Sequence, residues 1–327
     1  MDEIKNILII RLSSLGDILL TTPIIRSLKE QNSEIKIDFI LREQYADLLR
    51  YNKNIKSLLL YKEDSVSKET LFKDLRKNNY DLVVDLQNNF RSAEIRKETK
   101  ANQVIFNKRT VDKFLLVHFK INRFNGQQEI PKRYSETLPG LRLDNNGLEL
   151  FFPSETKTNL SDNVKHIGIA PGSRHFTKMW PKQYFIDLSK MVLDDGYSIA
   201  IFGGKSDFKL CSELAEKIPG SINLCNDDKI LQTAADMKKC NAVICNDSGL
   251  MHAATAIGIP VLAIFGSTVK EFGFAPYRSR NIVLENNSLT CRPCSHIGRE
   301  NCPKKHFKCM LELTPMLAYL KLKEILN

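Results

Sequence analysis

The sequence predicts an α/β protein made of two domains, each a parallel sheet wrapped by helices. Three observations predict it. Short apolar runs of strand length alternate with helix-length segments from residues 4–10 through to 261–265. A length of 327 residues suits two domains of ordinary size, and a polar stretch at 153–163 parts the alternation in two. The run Cys245-Asn246-Asp247-Ser248-Gly249-Leu250-Met251-His252 follows one apolar strand and opens a helix of small residues, closed by Gly258 before Pro260 and a second apolar strand. That is a strand–turn–helix–strand unit of a parallel sheet.

In the first half, residues 4–10 read as a buried strand. The loop Arg11-Leu12-Ser13-Ser14-Leu15-Gly16-Asp17 follows, then an apolar helix over 18–30 with Pro23 near its start. One glycine is too few for a dinucleotide fingerprint, which needs several for close backbone approach to the pyrophosphate, so a dehydrogenase is rejected. Strands are expected at 35–41, 55–60, 81–86 and 104–106, and helices at 46–52, 68–78 and 91–97. Residues 109–133 read as irregular, basic and aromatic. In the second half, strands are expected at 166–170, 197–202, 222–224, 242–245 and 261–265, with helices at 182–194, 208–217 and 230–240. Residues 314–326 form an amphipathic helix able to cross back onto the first domain. The expected domains are 1–155, 156–313 and the C-terminal helix 314–327.

Charge and composition narrow the function classes. The net charge is +10, and residues 86–133 carry 11 Lys and Arg against 4 Asp and Glu, or +7. That concentration points to an anionic partner: nucleic acid, lipid head groups or a charged glycan. A generally Lys-rich composition is the plainer explanation. The apolar run at 7–10 is cut short by Arg11, and no run approaches the length of a membrane span. A soluble, cytoplasmic protein with reduced cysteines is therefore expected.

The candidate chemistry sits in turns at strand C-termini, where open α/β sheets bind ligands. Backbone amides of Ser248, Gly249 and Leu250 at a helix N-terminus favour a phosphate. Asp247 is placed to hold sugar hydroxyls and His252 lies a turn into the helix; the alternative is that Asp247 or Ser248 only caps that helix. Lys178, in a loop after a strand and near Gly172 and Ser173, is suited to neutralising a leaving diphosphate, unless it is solvated surface. Asp207, after Gly203-Gly204, is placed for a ribose or is an ordinary turn acid. Asp17 is a candidate base at the first loop tip, or the cap of the following helix. Trp180 reads as a packing anchor. Cys291, Cys294, Cys302 and Cys309 have the spacing C-x2-C-x7-C-x6-C, whose first pair is zinc-like and whose second is not, so a zinc site and simple burial both stay open.

These residues together resemble glycosyltransferase family 9, the ADP-heptose:lipopolysaccharide heptosyltransferases. The resemblance rests on the residue 11–17 motif, Pro171-Gly172-Ser173 with Lys178-Met179-Trp180-Pro181, residues 247–252 through Phe265-Gly266, and the cysteine tail. It implies a GT-B fold, two Rossmann-like domains facing across a cleft, acceptor on the first and donor on the second. It implies inverting, metal-independent transfer of heptose, without a cofactor, from ADP-heptose to an anionic lipopolysaccharide inner-core acceptor at the inner-membrane surface. Asp17 would be the general base, Ser173 and Lys178 would bind the diphosphate, Asp207 the ribose, and Asp228 would lie beside the adenine. Asp247, Ser248, Gly249 and His252 would surround the diphosphate and sugar. The basic stretch, through Arg91, Arg96, Lys97, Arg109 and Lys113, would serve the acceptor. Gly172-Ser173 stands where some members carry Thr-Thr, which leaves nucleotide preference open.

Three other readings stay in view: a GT-B transferase of another nucleotide sugar, a GT-B-type sugar-nucleotide epimerase, and a zinc or nucleic-acid binding module. No nucleic-acid-binding motif supports the last, so no nucleic-acid partner is expected. The resemblance also implies a place in the cytoplasm, peripheral on the inner face of the membrane.

Overall fold

The structure is a computed structural model and describes residues 4–124 and 129–327. The chain divides into two compact units, 1–109 with 130–151, and 110–129 with 152–327.

The first unit contains β1 (Asn6–Ile10), α1 (Leu15–Leu19), α2 (Thr22–Gln31), β2 (Lys36–Arg42), β3 (Ser57–Tyr61), α3 (Ser65–Lys77), β4 (Leu82–Asp85), α4 (Phe90–Lys97) and β5 (Asn102–Ile105). After α5 (Thr110–Phe119), which is grouped with the second unit, α6 (Ile130–Ser135) returns to the first. Its sheet runs β3-β2-β1-β4-β5, all parallel. β1 is central, which explains why residues 7–10 are wholly buried and unbroken by polar residues. Because the chain moves outward from β1 to β3 and then restarts at β4 on the other side, the switch point lies between β1 and β4.

The second unit contains β6 (His166–Ala170), α7 (Lys182–Asp194), β7 (Ser198–Ile201), α8 (Phe208–Lys217), β8 (Ile222–Asn223), α9 (Ile230–Met237), β9 (Cys240–Asn246), α10 (Gly249–Ala256), β10 (Val261–Phe265), β11 (Asn281–Glu285), α11 (Lys308–Leu311) and α12 (Pro315–Leu326). Its parallel sheet runs β11-β10-β9-β6-β7-β8, so the switch point lies between β6 and β9. The core gathers Ile167, Ile169, Ile199, Ile201, Ile244 and Ile264 with Trp180, whose indole N–H donates to the Leu313 carbonyl at 2.8 Å. The packing role expected of Trp180 is what the structure shows.

Several expectations are corrected. The helix expected over 18–30 is two, α1 and α2, because Pro23 fits only the first turn of a helix and so starts a new one. The 46–52 helix is a single 3-10 segment, Glu43–Leu48. The stretch 109–133, expected to be irregular, holds α5 and α6; its residues 125–128 lie outside the described residues. β11, half-buried at the sheet edge, was not expected. The C-terminal helix, read from sequence as able to cross back onto the first domain, packs on α7, β9, β10 and β11 of the second unit and buries Ala318, Leu322 and Ile325 in that core. Its apolar stripe is satisfied there.

Candidate functional site

In the first unit the loop after β1 carries Asp17 on α1. Arg11, buried at the end of β1, reaches the carboxylate at 2.5 Å and also donates to the Leu86 carbonyl after β4. Ser14 donates to the same carboxylate twice, from its backbone N–H at 3.1 Å and its hydroxyl at 2.7 Å. Burial pushes the Asp17 carboxyl up, but the Arg11 charge and the Ser14 hydrogen bonds outweigh it and hold the group below the ordinary aspartate range. The N-cap of α1 is Ser14 and not Asp17: the helix begins at Leu15, and Asp17, at its third position, accepts from the Ser14 N–H in a capping box while pairing with Arg11. Gln87, after β4, accepts from the Leu12 N–H at 3.0 Å and the Ser13 N–H at 3.3 Å, so the loop is pinned from both sides of the switch point. Lys108 is half-buried nearby; burial and the Arg11 charge lower its pKa, and Asp85 and Asp17 oppose them.

In the second unit two turns flank the switch point. After β6 comes Gly172-Ser173, and after β9 comes Asp247-Ser248, with Ser248 as the N-cap of α10. Asn246 ties them: its side-chain N–H donates to the Pro171 carbonyl at 2.7 Å and its oxygen accepts from the Trp180 N–H at 3.0 Å. The Ser173 hydroxyl sits 3.5 Å from the Asp247 carbonyl. Lys178 forms an ion pair with Asp247 at 2.8 Å, and Thr268, after β10, donates to the same carboxylate oxygen at 2.7 Å. The Ser248 hydroxyl is buried without a hydrogen-bond partner among the described residues. His252 is buried on α10.

Asp207 and Asp228 meet at the turn after β7. Asp207 accepts from the Gly204 N–H at 3.0 Å and Asp228 from the Lys205 N–H at 3.0 Å. Burial, with the Asp228 charge added, pushes the Asp207 carboxyl above its ordinary range against the pull of the Gly204 bond. A side chain at residue 172 would collide with Asp207, whose carboxylate lies 2.4 Å from the place of a Cβ. Glycine at 172 is thus what lets Asp207 lie against the turn after β6.

The arrangement can hold an anion between a helix N-terminus and a fixed lysine, with carboxylates to one side for hydroxyls. Ser173, Lys178, Asp207, Asp228, Asp247, Ser248, Gly249 and His252 all belong to one unit, and the first, second, fifth and sixth of these cluster at the switch point. Asp17 stands in the other unit.

The expected acceptor cations are less uniform. Arg91, Arg96 and Lys97 lie on α4. Arg91 pairs with Glu63 at 3.1 Å and is half-exposed. Arg96 pairs at 2.9 Å with Asp85, which is fully buried, so its charge is committed to the fold. Arg109 ends the first segment of the first unit, and Lys113 is on α5 in the second, so the five do not form one set within one unit.

The cysteines are all free, and among the described residues no group of three or more His, Cys, Asp or Glu side chains is arranged to hold a metal ion. Burial raises the Cys294 thiol and pushes Cys309 up to about 11. What orders the tail is Arg292, a residue without an expected role. Its buried guanidinium donates to the carbonyls of Gly266 at 2.6 Å, Asn286 at 2.5 Å and Thr268 at 2.8 Å, and pairs with Glu285 at 2.8 Å. Arg11, Gln87, Asn246, Thr268 and Arg292 were all missed as site residues. An arginine ending an otherwise apolar strand is the one signal that marked Arg11.

The family model for glycosyltransferase family 9 (heptosyltransferase) matches residues 69–305. The chain belongs to glycosyltransferase family 9. It is 27% identical over 325 residues to lipooligosaccharide heptosyltransferase 2 of Campylobacter jejuni strain NCTC 11168, covering 96% of both chains. A shorter match to the protein of that name in C. jejuni strain 81116 is 34% identical over 172 residues, 51% of this chain and 53% of that one. The solved ADP-heptose LPS heptosyltransferase II of Escherichia coli has the same fold, with a TM-score of 0.73 over 98% of each chain and 22% identity. This family 9 protein is therefore a glycosyltransferase of the GT-B fold, with two parallel-sheet units. Among the described residues no helix is long and apolar enough to cross a membrane.

Proposed function

We propose that this family 9 protein moves heptose from ADP-heptose to a sugar of the lipopolysaccharide inner core, Kdo-lipid A or heptosyl-Kdo-lipid A, in a single inverting displacement that needs no metal. The observation that carries this reading is the Lys178–Asp247 pair between two turns at the second unit's switch point, beside the N-terminus of α10. A cation fixed there, with helix amides, suits the charge that gathers on a departing diphosphate. The names of the full-length relatives support heptose and the lipopolysaccharide core as the sugar and acceptor.

In this reading the first unit takes the acceptor and the second the donor. Asp17 accepts the proton of the attacking hydroxyl as its oxygen bonds to the anomeric carbon. The bond from that carbon to the diphosphate breaks, and ADP leaves with the electron pair, stabilised by Lys178, Ser173 and the Ser248 and Gly249 amides. Asp207 holds the ribose hydroxyls, Asp228 lies beside the base, and Asp247 and His252 line the sugar side. Arg91, Lys97 and Arg109 meet the anionic acceptor, and the enzyme works in the cytoplasm.

The test is incubation with ADP-heptose and core acceptors truncated before and after the first heptose, reading products by mass. The expected outcome is a mass gain of one heptose, acceptor-dependent, with inverted anomeric configuration and undiminished rate in chelator. Equal turnover of a UDP- or GDP-sugar overturns the donor assignment. Conversion of the nucleotide sugar without acceptor overturns transfer in favour of epimerisation.

A further inference from the structure

Two of the eight cysteines stand apart in their surroundings. Cys291 and Cys294 are half-buried, and both line a concavity of about 390 Å³ walled on its other side by Val117, His118 and Lys120. They belong to Cys291-Arg292-Pro293-Cys294, a spacing at which two thiols can close a disulfide. The Cys291 sulfur lies 3.8 Å from His306 Nε2. The other ring nitrogen, Nδ1, accepts from the Lys308 backbone N–H at 3.1 Å, so in the neutral ring Nε2 carries the proton and donates to the sulfur. A hydrogen bond of this kind supports the negative charge a sulfur carries as it attacks a peroxide.

Two cations border the motif. The Lys120 ammonium donates to the carbonyls of Cys291 and Pro293, at 3.2 and 2.6 Å, and the Arg299 guanidinium to that of Cys294 at 2.8 Å. The two thiols are unequal: His306 serves the Cys291 sulfur, while burial raises the Cys294 thiol against the pull of Arg299. A second near pair gives a comparison within the same unit. A Cβ on Gly203 would lie 2.7 Å from the Cys211 sulfur and 3.0 Å from that of Cys225. Burial raises both of those thiols, and Cys211 is closed off from solvent.

The motif is also tied to the turn after β10. The Cys294 N–H donates to the Ser267 carbonyl at 3.2 Å, and the Arg292 guanidinium holds the carbonyls of Gly266 and Thr268. A sulfur–sulfur bond has its own required geometry. Closing one between residues 291 and 294 acts on the backbone on both sides of Arg292, and so on all three carbonyls.

We infer that Cys291 and Cys294 are an oxidisable pair, Cys291 attacking a hydroperoxide and Cys294 resolving, whose disulfide loosens the turn at residues 266–268. The Cys291 sulfur attacks one peroxide oxygen, the O–O bond breaks, and the leaving oxygen takes the thiol proton. With hydrogen peroxide the products are a sulfenic acid and water. The Cys294 sulfur then attacks the Cys291 sulfur, the S–O bond breaks, and a second water leaves with the Cys294 proton. The two thiols lose two electrons in all, and the peroxide gains them. The inference goes beyond the transfer reaction, since neither donor nor acceptor takes part.

The test treats the full, reduced chain with hydrogen peroxide and maps its thiols by alkylation and peptide mass. The peptide holding residues 291 and 294 is expected to lose two hydrogen atoms and escape alkylation, roughly tenfold faster than the Cys211–Cys225 pair reacts. Dithiothreitol should reverse the change. Cys291→Ser should abolish it, and Cys294→Ser should stop at a Cys291 sulfenic acid that dimedone traps. His306→Ala should slow the reaction several-fold, and His306→Gln, which keeps an N–H donor, should recover part of the rate. Cys302→Ser should react as the wild type does. Amide hydrogen exchange at residues 266–268 should quicken several-fold on oxidation of the wild type and return on reduction. Circular dichroism reports the folding of each variant. Thiols that stay reduced, a Cys291–Cys302 disulfide, faster oxidation of Cys211 and Cys225, or unchanged exchange at 266–268 overturns the inference. So does stoichiometric zinc on these thiols in the protein as isolated, which would make the tail a metal site.

Discussion

The ammonium of Lys178 is held 2.8 Å from Asp247 by a carboxylate oxygen that also accepts from Thr268. A lysine is a flexible point charge, and losing its rotamer freedom on binding an anion costs free energy. Here that ordering precedes the ligand. The hydroxyl of Thr268 holds Asp247, and the carbonyl of Thr268 is held by the buried Arg292. The cysteine tail thus reaches the turn after β9 through the hydrogen bonds of Arg292.

Lys178→Ala is expected to lower turnover at saturating donor by about two orders of magnitude, the scale for removing one group that stabilises developing charge. Acceptor KM should hardly move. Steady-state kinetics with each substrate varied separates the two, and unchanged turnover removes Lys178 from the reaction.

Arg292→Met is expected to destabilise the second unit by about 3 kcal/mol. It leaves the Glu285 carboxylate, whose side chain is only 4% exposed, with Lys270 at 3.4 Å, and strips three carbonyls of a donor. Urea denaturation followed by the fluorescence of Trp180, the only tryptophan, reads this unit alone. A midpoint within error of wild type would show that the tail does not brace the turns.

Much of this was legible in the sequence, for identifiable reasons. The turns at 171–173 and 247–249 stand out because buried parallel strands are apolar runs, so the first polar residues after each run mark the C-terminal edge where ligands bind. α5 was illegible because both of its sides are apolar: Leu116 faces the core and Phe114 faces out, so the amphipathic pattern that betrays a surface helix is missing. β11 was hidden because only Leu284 of its five residues is buried. Arg96 is a different case. Composition counts its charge, but only coordinates show that Asp85 already holds it.

That distinction yields a split among the basic residues of α4. Arg91→Ala/Lys97→Ala should raise the KM for an anionic acceptor, with less effect at high salt and no change in ADP affinity. Arg96→Ala should instead lower the melting temperature, since it strands the buried Asp85 carboxylate; the loss is about 2 kcal/mol. Differential scanning fluorimetry beside acceptor kinetics checks both. A rise in acceptor KM from Arg96→Ala at unchanged stability would restore Arg96 to the acceptor set.

Asp17 gives the sharpest test, because the carboxylate proposed as the base also pairs with Arg11 and closes the capping box of α1. Its folded pKa is depressed by Arg11 and Ser14 in spite of burial. The sign follows from linkage: such a group contributes stability that is fully present above its unfolded pKa, near 3.9, and lost as pH falls through the lower folded value. The carboxylate therefore stays ionised at neutral pH, and the acid limb of kcat/KM attributable to it should fall below about pH 4. A base so weak works only if the proton moves late, after bond formation to the anomeric carbon has made the hydroxyl acidic. Asp17→Asn keeps the shape and can still accept from Ser14, but it removes the charge facing the buried guanidinium of Arg11. Turnover should fall by roughly two to four orders of magnitude, the range for a positioned acid–base group. Stability should fall by about 1–3 kcal/mol, with the Leu86 carbonyl and the Tyr134 ring still facing Arg11. ADP binding should be unchanged, because the turns that would hold it belong to the second unit. Asn at this third helical position can keep the capping-box bond from the Ser14 N–H without the charge. Near-normal turnover in a folded Asp17→Asn variant would therefore leave Asp17 as the partner of Arg11 and of the Ser14 cap, with the proton going elsewhere.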